Sequence, residues 1–155
     1  MSEQATRELA TFQLPSQPGN ERQALALVAA AVSESGLSAN QMERLKTAVA
    51  EATMNAIEHG NHEQSDLPVE VAVFEDRGDV VVTISDRGAV TSNHGSPVEP
   101  DLDDKLAGLQ TPRGWGLFLI RHMVDSVDEV SEGDRHTVRL TVRPGTPPTS
   151  SRSQE

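Results

Sequence analysis

Hydrophobic and polar positions follow two periods along this chain. In PVEVAVFE (68–75) apolar residues fall at every second position, and after the turn DRGD comes a second apolar run, VVVTISD (80–86). Period two on either side of an Asp-Arg-Gly turn predicts a β-hairpin. ELATFQL (8–14) is strand-like and is broken off by Pro15 and Pro18-Gly19. From Asn20, the expected cap, to about Ser35 the spacing is helical, with Leu25, Val28, Ala29 and Val32 on one stripe and Gly36 as the stop. Ser38-x-x-Gln41 is a capping box. It predicts a long helix from Ala39 to about Glu58, ended at Gly60, with Leu45, Val49, Ala52 and Ala56 facing the core.

Between Arg87 and Arg113 neither period holds. The stretch is rich in Gly, Pro, Ser and Asp, with room for one short helix around Asp101–Leu106. A loop of this length in a compact domain is usually functional or disordered. A third helix is predicted from about Trp115 to Ser126, with Leu117, Ile120, Met123 and Val124 on its apolar side. A strand near Asp128–Ser131, a turn over Glu132–Arg135 and a strand Thr137–Val142 complete the pattern. The boundaries are a flexible N-terminus (1–7), one domain (8–142) containing the long loop (87–113), and a disordered tail (143–155). The order of elements predicts an α+β fold: a two-layer sandwich with helices on one face of a mixed, mostly antiparallel sheet.

Composition narrows the function classes. At 155 residues the chain can bury one real core. With aromatics at 3% and no tyrosine, aliphatic residues must build it. The absence of cysteine excludes disulfides and thiolate metal sites. No apolar run reaches the ~18 residues of a membrane span, and MSEQATRELA is too polar for a signal peptide. The expected location is the cytoplasm, with no membrane partner. Thirteen basic against 24 acidic residues give a net charge of −11. A phosphate backbone would be repelled by that surface, so direct nucleic-acid binding is not expected, whereas a basic protein would be attracted.

Candidate chemistry sits at three places. Glu51 and Asn55 lie one turn apart on the long helix, beside its apolar stripe and among alanines at 48, 50, 52 and 56. They read either as a solvated helix edge or as a carboxylate base next to an amide oxygen for Mg²⁺, a cation that takes most of its other ligands from water and phosphate. Asp86, at the end of the second hairpin strand, precedes Gly88 by two residues. This is either a simple turn or a carboxylate that accepts from a nucleobase amino group, with Gly88 admitting a ligand to the backbone. Gly114 and Gly116 flank the only tryptophan, Trp115, at a helix start. They form a glycine-rich helix entry, or a lid whose free N–H groups suit phosphate.

In this order the pieces resemble the Bergerat-type ATP-binding domain shared by gyrase, heat-shock protein 90, histidine kinases and MutL proteins. EATMNAIEHGN (51–61) and RGWGLFLIRHMVD (113–125), followed by a terminal strand pair, look more closely like the stand-alone anti-sigma-factor serine/threonine kinases of bacteria. The resemblance implies Asn55 as the ligand of Mg²⁺ on ATP, Glu51 as general base and Asp86 as the adenine ligand. Gly88 would line the same pocket, and His59 would shape it. Gly114, Gly116 and the adjoining Leu117 would form the phosphate side of the lid, and Thr137 would support the adenine site through Asp86 or a water. Arg113 either reaches the γ-phosphate or is a solvated lid arginine. The implied partners are an anti-anti-sigma (STAS-domain) protein as phosphate acceptor, a sigma factor, and a second copy of the chain. A nucleotide-gated binding module without phosphotransfer is the alternative. Two positions depart from the family pattern: Val90 stands where many relatives have a second glycine after Asp86, and His136 where many have glycine before a threonine. Both bear on nucleotide affinity.

Overall fold

The computed structural model describes residues 6–61, 64, 66–87 and 118–145. The long-loop and lid positions Gly88, Val90, Arg113, Gly114, Trp115, Gly116 and Leu117, the helix around Asp101–Leu106 and the tail from 146 onward lie outside the described residues.

The chain runs β1 (Thr6–Pro15), α1 (Asn20–Ala31), α2 (Ala39–Asn55), a π-helical turn (Ala56–Gly60), β2 (Pro68–Asp76), β3 (Asp79–Asp86), β4 (Ser126–Glu132) and β5 (Arg135–Val142). One five-stranded sheet has the order β1-β2-β3-β5-β4. The sheet, expected to be mixed and mostly antiparallel, is antiparallel at all four neighbouring pairs among the described strands. The β2–β3 hairpin turns through Arg77 and Gly78, both at positive φ (57° and 92°), the conformation that two-residue hairpins with the right twist demand.

Strand alternation puts Val69, Val71 and Val73 of β2, Val80, Val82 and Ile84 of β3, and Val138, Leu140 and Val142 of β5 into one core with the helices. Leu45, Ala48, Val49, Ala52 and Ala56 meet them from α2 and the turn after it, and Ala24 and Val28 from α1. Each fully buried Val, Leu or Ile contributes about 1.5–3 kcal/mol relative to exposure. The opposite sheet face carries charge, with Arg135 paired to Glu70 and Arg139 to Asp76.

Three local expectations are corrected. Asn20 does not cap α1: Gly19 holds the N-cap position without a side-chain bond, and the Asn20 amide donates to the Pro15 carbonyl instead. The same helix ends at Ala31, not Ser35: beyond it Ser33 N–H and Ser35 N–H donate three residues back, to Ala30 and Val32, instead of four. The helical segment described over residues 118–121 does not reach Ser126. There the sheet captures the backbone: Asp125 N–H donates to the Thr141 carbonyl, and Arg143 N–H to the Asp125 carboxylate. The capping box of α2 forms as expected, Ser38 and Gln41 each accepting from the other's backbone.

Candidate functional site

α2 crosses the sheet so that its C-terminal half faces the ends of β3 and β5. There Ala52, Asn55, Ala56, Ile84, Asp86, His136 and Val138 line a cleft. Its floor is aliphatic and its polar groups are three: the Asn55 amide, the Asp86 carboxylate and the His136 imidazole. The alanines at 52 and 56, one helical turn apart, present only methyl groups to the cleft.

Asp86 is 3% exposed, and the surrounding backbone is built to admit it. At Asn55 the α-helix widens into the π turn Ala56–Gly60, closed by a hydrogen bond from Asn61 N–H to the Ala56 carbonyl at 2.8 Å. Such single wide turns often accompany functional sites. This turn brings Gly60 against Asp86 so closely that a methyl group on Gly60 would overlap the carboxylate. Asn61, fully buried, then ties the region together. Its amide nitrogen donates to Ser16 Oγ and the Leu67 and Pro68 carbonyls, and its oxygen accepts from Arg87 N–H at 2.9 Å. The bond to Arg87 fixes the backbone directly after Asp86. The sequence marks Gly60 as a helix stop and gives Asn61 no role of its own; the Gly-Asn pair closing EATMNAIEHGN is the signal for both contacts.

Asn55 carries the clearest sign of a missing partner. Its amide nitrogen is buried and makes no hydrogen bond, a costly state unless something else enters. Glu51, one turn earlier and half-buried, has its pKa raised, first by burial and second by the negative charge of Glu58. A carboxylate so shifted is a better proton acceptor than an ordinary one. Glu51 and His59 are not among the residues lining the cleft; His59 is half-buried on the π turn.

Thr137 is placed differently from expectation. In β5 it shares parity with Arg135 and Arg139, not with the core residues Val138, Leu140 and Val142. Its hydroxyl lies 2.8 Å from that of Ser85, its register partner on β3. The pocket-facing position beside Asp86 belongs to His136, the register partner of Asp86.

The slot is narrow and aliphatic, with one buried carboxylate that accepts and, at Asn55, a buried amide nitrogen that only donates. The fold defines a class: a two-layer α+β domain with a small polar cleft between its long helix and its sheet. Residues 14–142 match the family described as the Histidine kinase-like ATPase domain, and the chain belongs to it. It is 29% identical over 119 residues to the Serine-protein kinase RsbW of Listeria monocytogenes, covering 76% of each chain. It is 28% identical over 132 residues to the Anti-sigma F factor of Geobacillus stearothermophilus, covering 81% of this chain and 85% of that one. The resemblance to anti-sigma-factor kinases is thereby borne out. Among solved structures, the RsbU and RsbW domains of Rv1364c from Mycobacterium tuberculosis superpose with a TM-score of 0.60 at 21% identity. That match covers 86% of this chain and 32% of the longer one. A chain of the SiaB-SiaC complex from Pseudomonas aeruginosa gives 0.56 at 14% identity, covering 88% and 90%. At such identities these two show the fold alone. Among the described residues no helix is long and apolar enough to cross a membrane.

Proposed function

We propose that this chain is an ATP-dependent serine/threonine protein kinase of a partner-switching system. In this reading it binds a sigma factor and phosphorylates an anti-anti-sigma, STAS-domain protein. The observation that carries the reading is the cleft itself: Asn55, with its unpartnered amide, and Asp86 share one pocket, and Glu51 sits one turn before Asn55 with its proton affinity raised. The names of the relatives support the kinase and anti-sigma assignments, and the net charge of −11 suits a basic sigma-factor surface.

Each residue has a distinct task. Asp86 accepts a hydrogen bond from the adenine amino group while Ala52, Ala56, Ile84 and Val138 hold the ring faces away from water. Asn55 presents its side-chain oxygen to Mg²⁺, which supplies charge neutralisation at the phosphates when bound. Glu51 takes the proton of a partner's serine or threonine hydroxyl. Gly88 lines the adenine pocket with Asp86, Gly114 and Gly116 offer backbone N–H groups to the phosphates with Leu117 adjoining them, and Arg113 either reaches the γ-phosphate or stays solvated. Phosphoryl transfer has a loose transition state, so alignment and charge neutralisation outweigh proton removal. The homodimer implied by the family resemblance is part of the same reading.

The test is transfer of labelled phosphate from Mg-ATP to a STAS-domain partner encoded nearby. Wild type should label a serine or threonine. Glu51→Ala should retain ATP binding and lose transfer by about 100-fold, the scale of a lost acid–base group. Undiminished transfer in that variant would remove Glu51 as the base. ATP binding and partner association without any transfer by wild type would make the chain a nucleotide-gated binding module instead.

A further inference from the structure

We propose that His136 is a positioning residue for Asp86 and, through it, sets the preference for adenine over guanine. The proposal rests on the reading of Asp86 as the base ligand. His136 stands where strand alternation turns a side chain into the cleft, and it lines that cleft together with Asp86. Its side chain is only 13% exposed. Nδ1 lies 3.4 Å from Asp86 Oδ2, and Nε2 lies 2.9 Å from Glu129 Oε1 on the neighbouring strand β4. A carboxylate only accepts, so Nε2–H donates to Glu129 at 2.9 Å, and donation from Nδ1 to Asp86 as well belongs to the imidazolium form, in which both ring nitrogens carry hydrogen. Glu129 therefore anchors the ring from one side, and the ring faces Asp86 on the other.

The Asp86 carboxylate is thus confined by two neighbours. Gly60 approaches so closely that no side chain fits there, and His136 Nδ1 stands 3.4 Å from Oδ2. A carboxylate held in one rotation can meet the amino group at C6 of adenine along a lone pair. The same oxygen faces a carbonyl at C6 of guanine, where two acceptors repel. A carboxylate free to turn loses part of this discrimination, because hydrogen bonds weaken steeply with angle. His136, which the family pattern marks only as a departure from glycine, thereby becomes a determinant of base choice.

The experiment compares ADP and GDP affinities of the full chain by calorimetry. His136→Leu, which keeps bulk and removes both nitrogens, should weaken ADP by about tenfold, the scale of one hydrogen bond to a charged group, and leave GDP unchanged. His136→Gln, which retains a donor, should recover most of the preference. Equal weakening of ADP and GDP by His136→Leu would mean a merely structural role and overturn the proposal, as would an unchanged ratio. Asp86→Asn is the control: if it leaves ADP affinity intact, the base-ligand reading fails and this inference falls with it. If it weakens ADP while His136→Leu does not, only the His136 inference falls. Should His136→Leu not fold, Glu129→Gln on the edge strand gives the same readout, and a preference unmoved by it and by His136→Gln overturns the proposal.

Discussion

A single residue with a shifted proton affinity sets how this site should respond to pH. Glu51 is held above the ordinary carboxylate range mainly by burial and secondarily by Glu58. A base must be ionised to accept a proton, so transfer should fall as pH drops through a value above that range. Removing the charge of Glu58, which is exposed, eases ionisation of Glu51. Glu58→Gln should therefore move the acid limb of the pH–rate profile to lower pH, though not to the ordinary value, because burial remains. A limb that stays in place or moves upward would contradict the coupling. Thr137 was expected at the adenine site from the family pattern, yet Val138, Leu140 and Val142 already mark the inward parity of the last strand. By that parity His136 faces the cleft and Thr137 faces away, and the hydroxyl pairing of Thr137 with Ser85 agrees.

Elements defined by neighbouring residues were legible; ends decided by distant ones were not. The capping box at Ser38 and the Asp-Arg-Gly hairpin are settled within four residues each, and both form as expected. α1 stops early, its backbone tightening into three-residue turns at Ser33 and Ser35, and the Ser35 hydroxyl then meets Glu75, 40 positions away. The helical segment ending at 121 stops because Asp125 bonds to Thr141 and Arg143. The π turn was hidden for the same reason: periodicity sees a helix through Glu58, whereas the wide turn is what lets Gly60 meet Asp86 of β3. That junction gives an element-scale test. Gly60→Ala forces α2 and β3 apart or turns Asp86 away, a strain of about 1–3 kcal/mol. Thermal denaturation should show the loss of stability, and adenine nucleotide binding should weaken along with it. Full stability with unchanged binding would mean that the close approach is not required.

At the scale of the whole molecule, one core and one cleft share the same walls. Ala52, Ala56, Ile84 and Val138 belong both to the packed interior and to the lining of the cleft, so the fold that buries the aliphatic residues also shapes the site. This is why the α+β sandwich and the positions of Glu51, Asn55 and Asp86 could be read together from the sequence: each lies at a fixed offset from the apolar stripe of its element. The acidic surface, with 24 acidic residues against 13 basic, lies outside that logic and bears on the partner. The central claim is that the cleft between α2 and the ends of β3 and β5 is a Mg-ATP site. Calorimetric titration of the full chain with ATP, with and without Mg²⁺, for wild type and Asn55→Ala, tests it most directly. Wild type should bind saturably and more tightly with Mg²⁺, and Asn55→Ala should lose about tenfold or more of Mg-ATP affinity while metal-free ATP binding changes little. Equal weakening with and without metal, or no ATP binding by wild type, would contradict it.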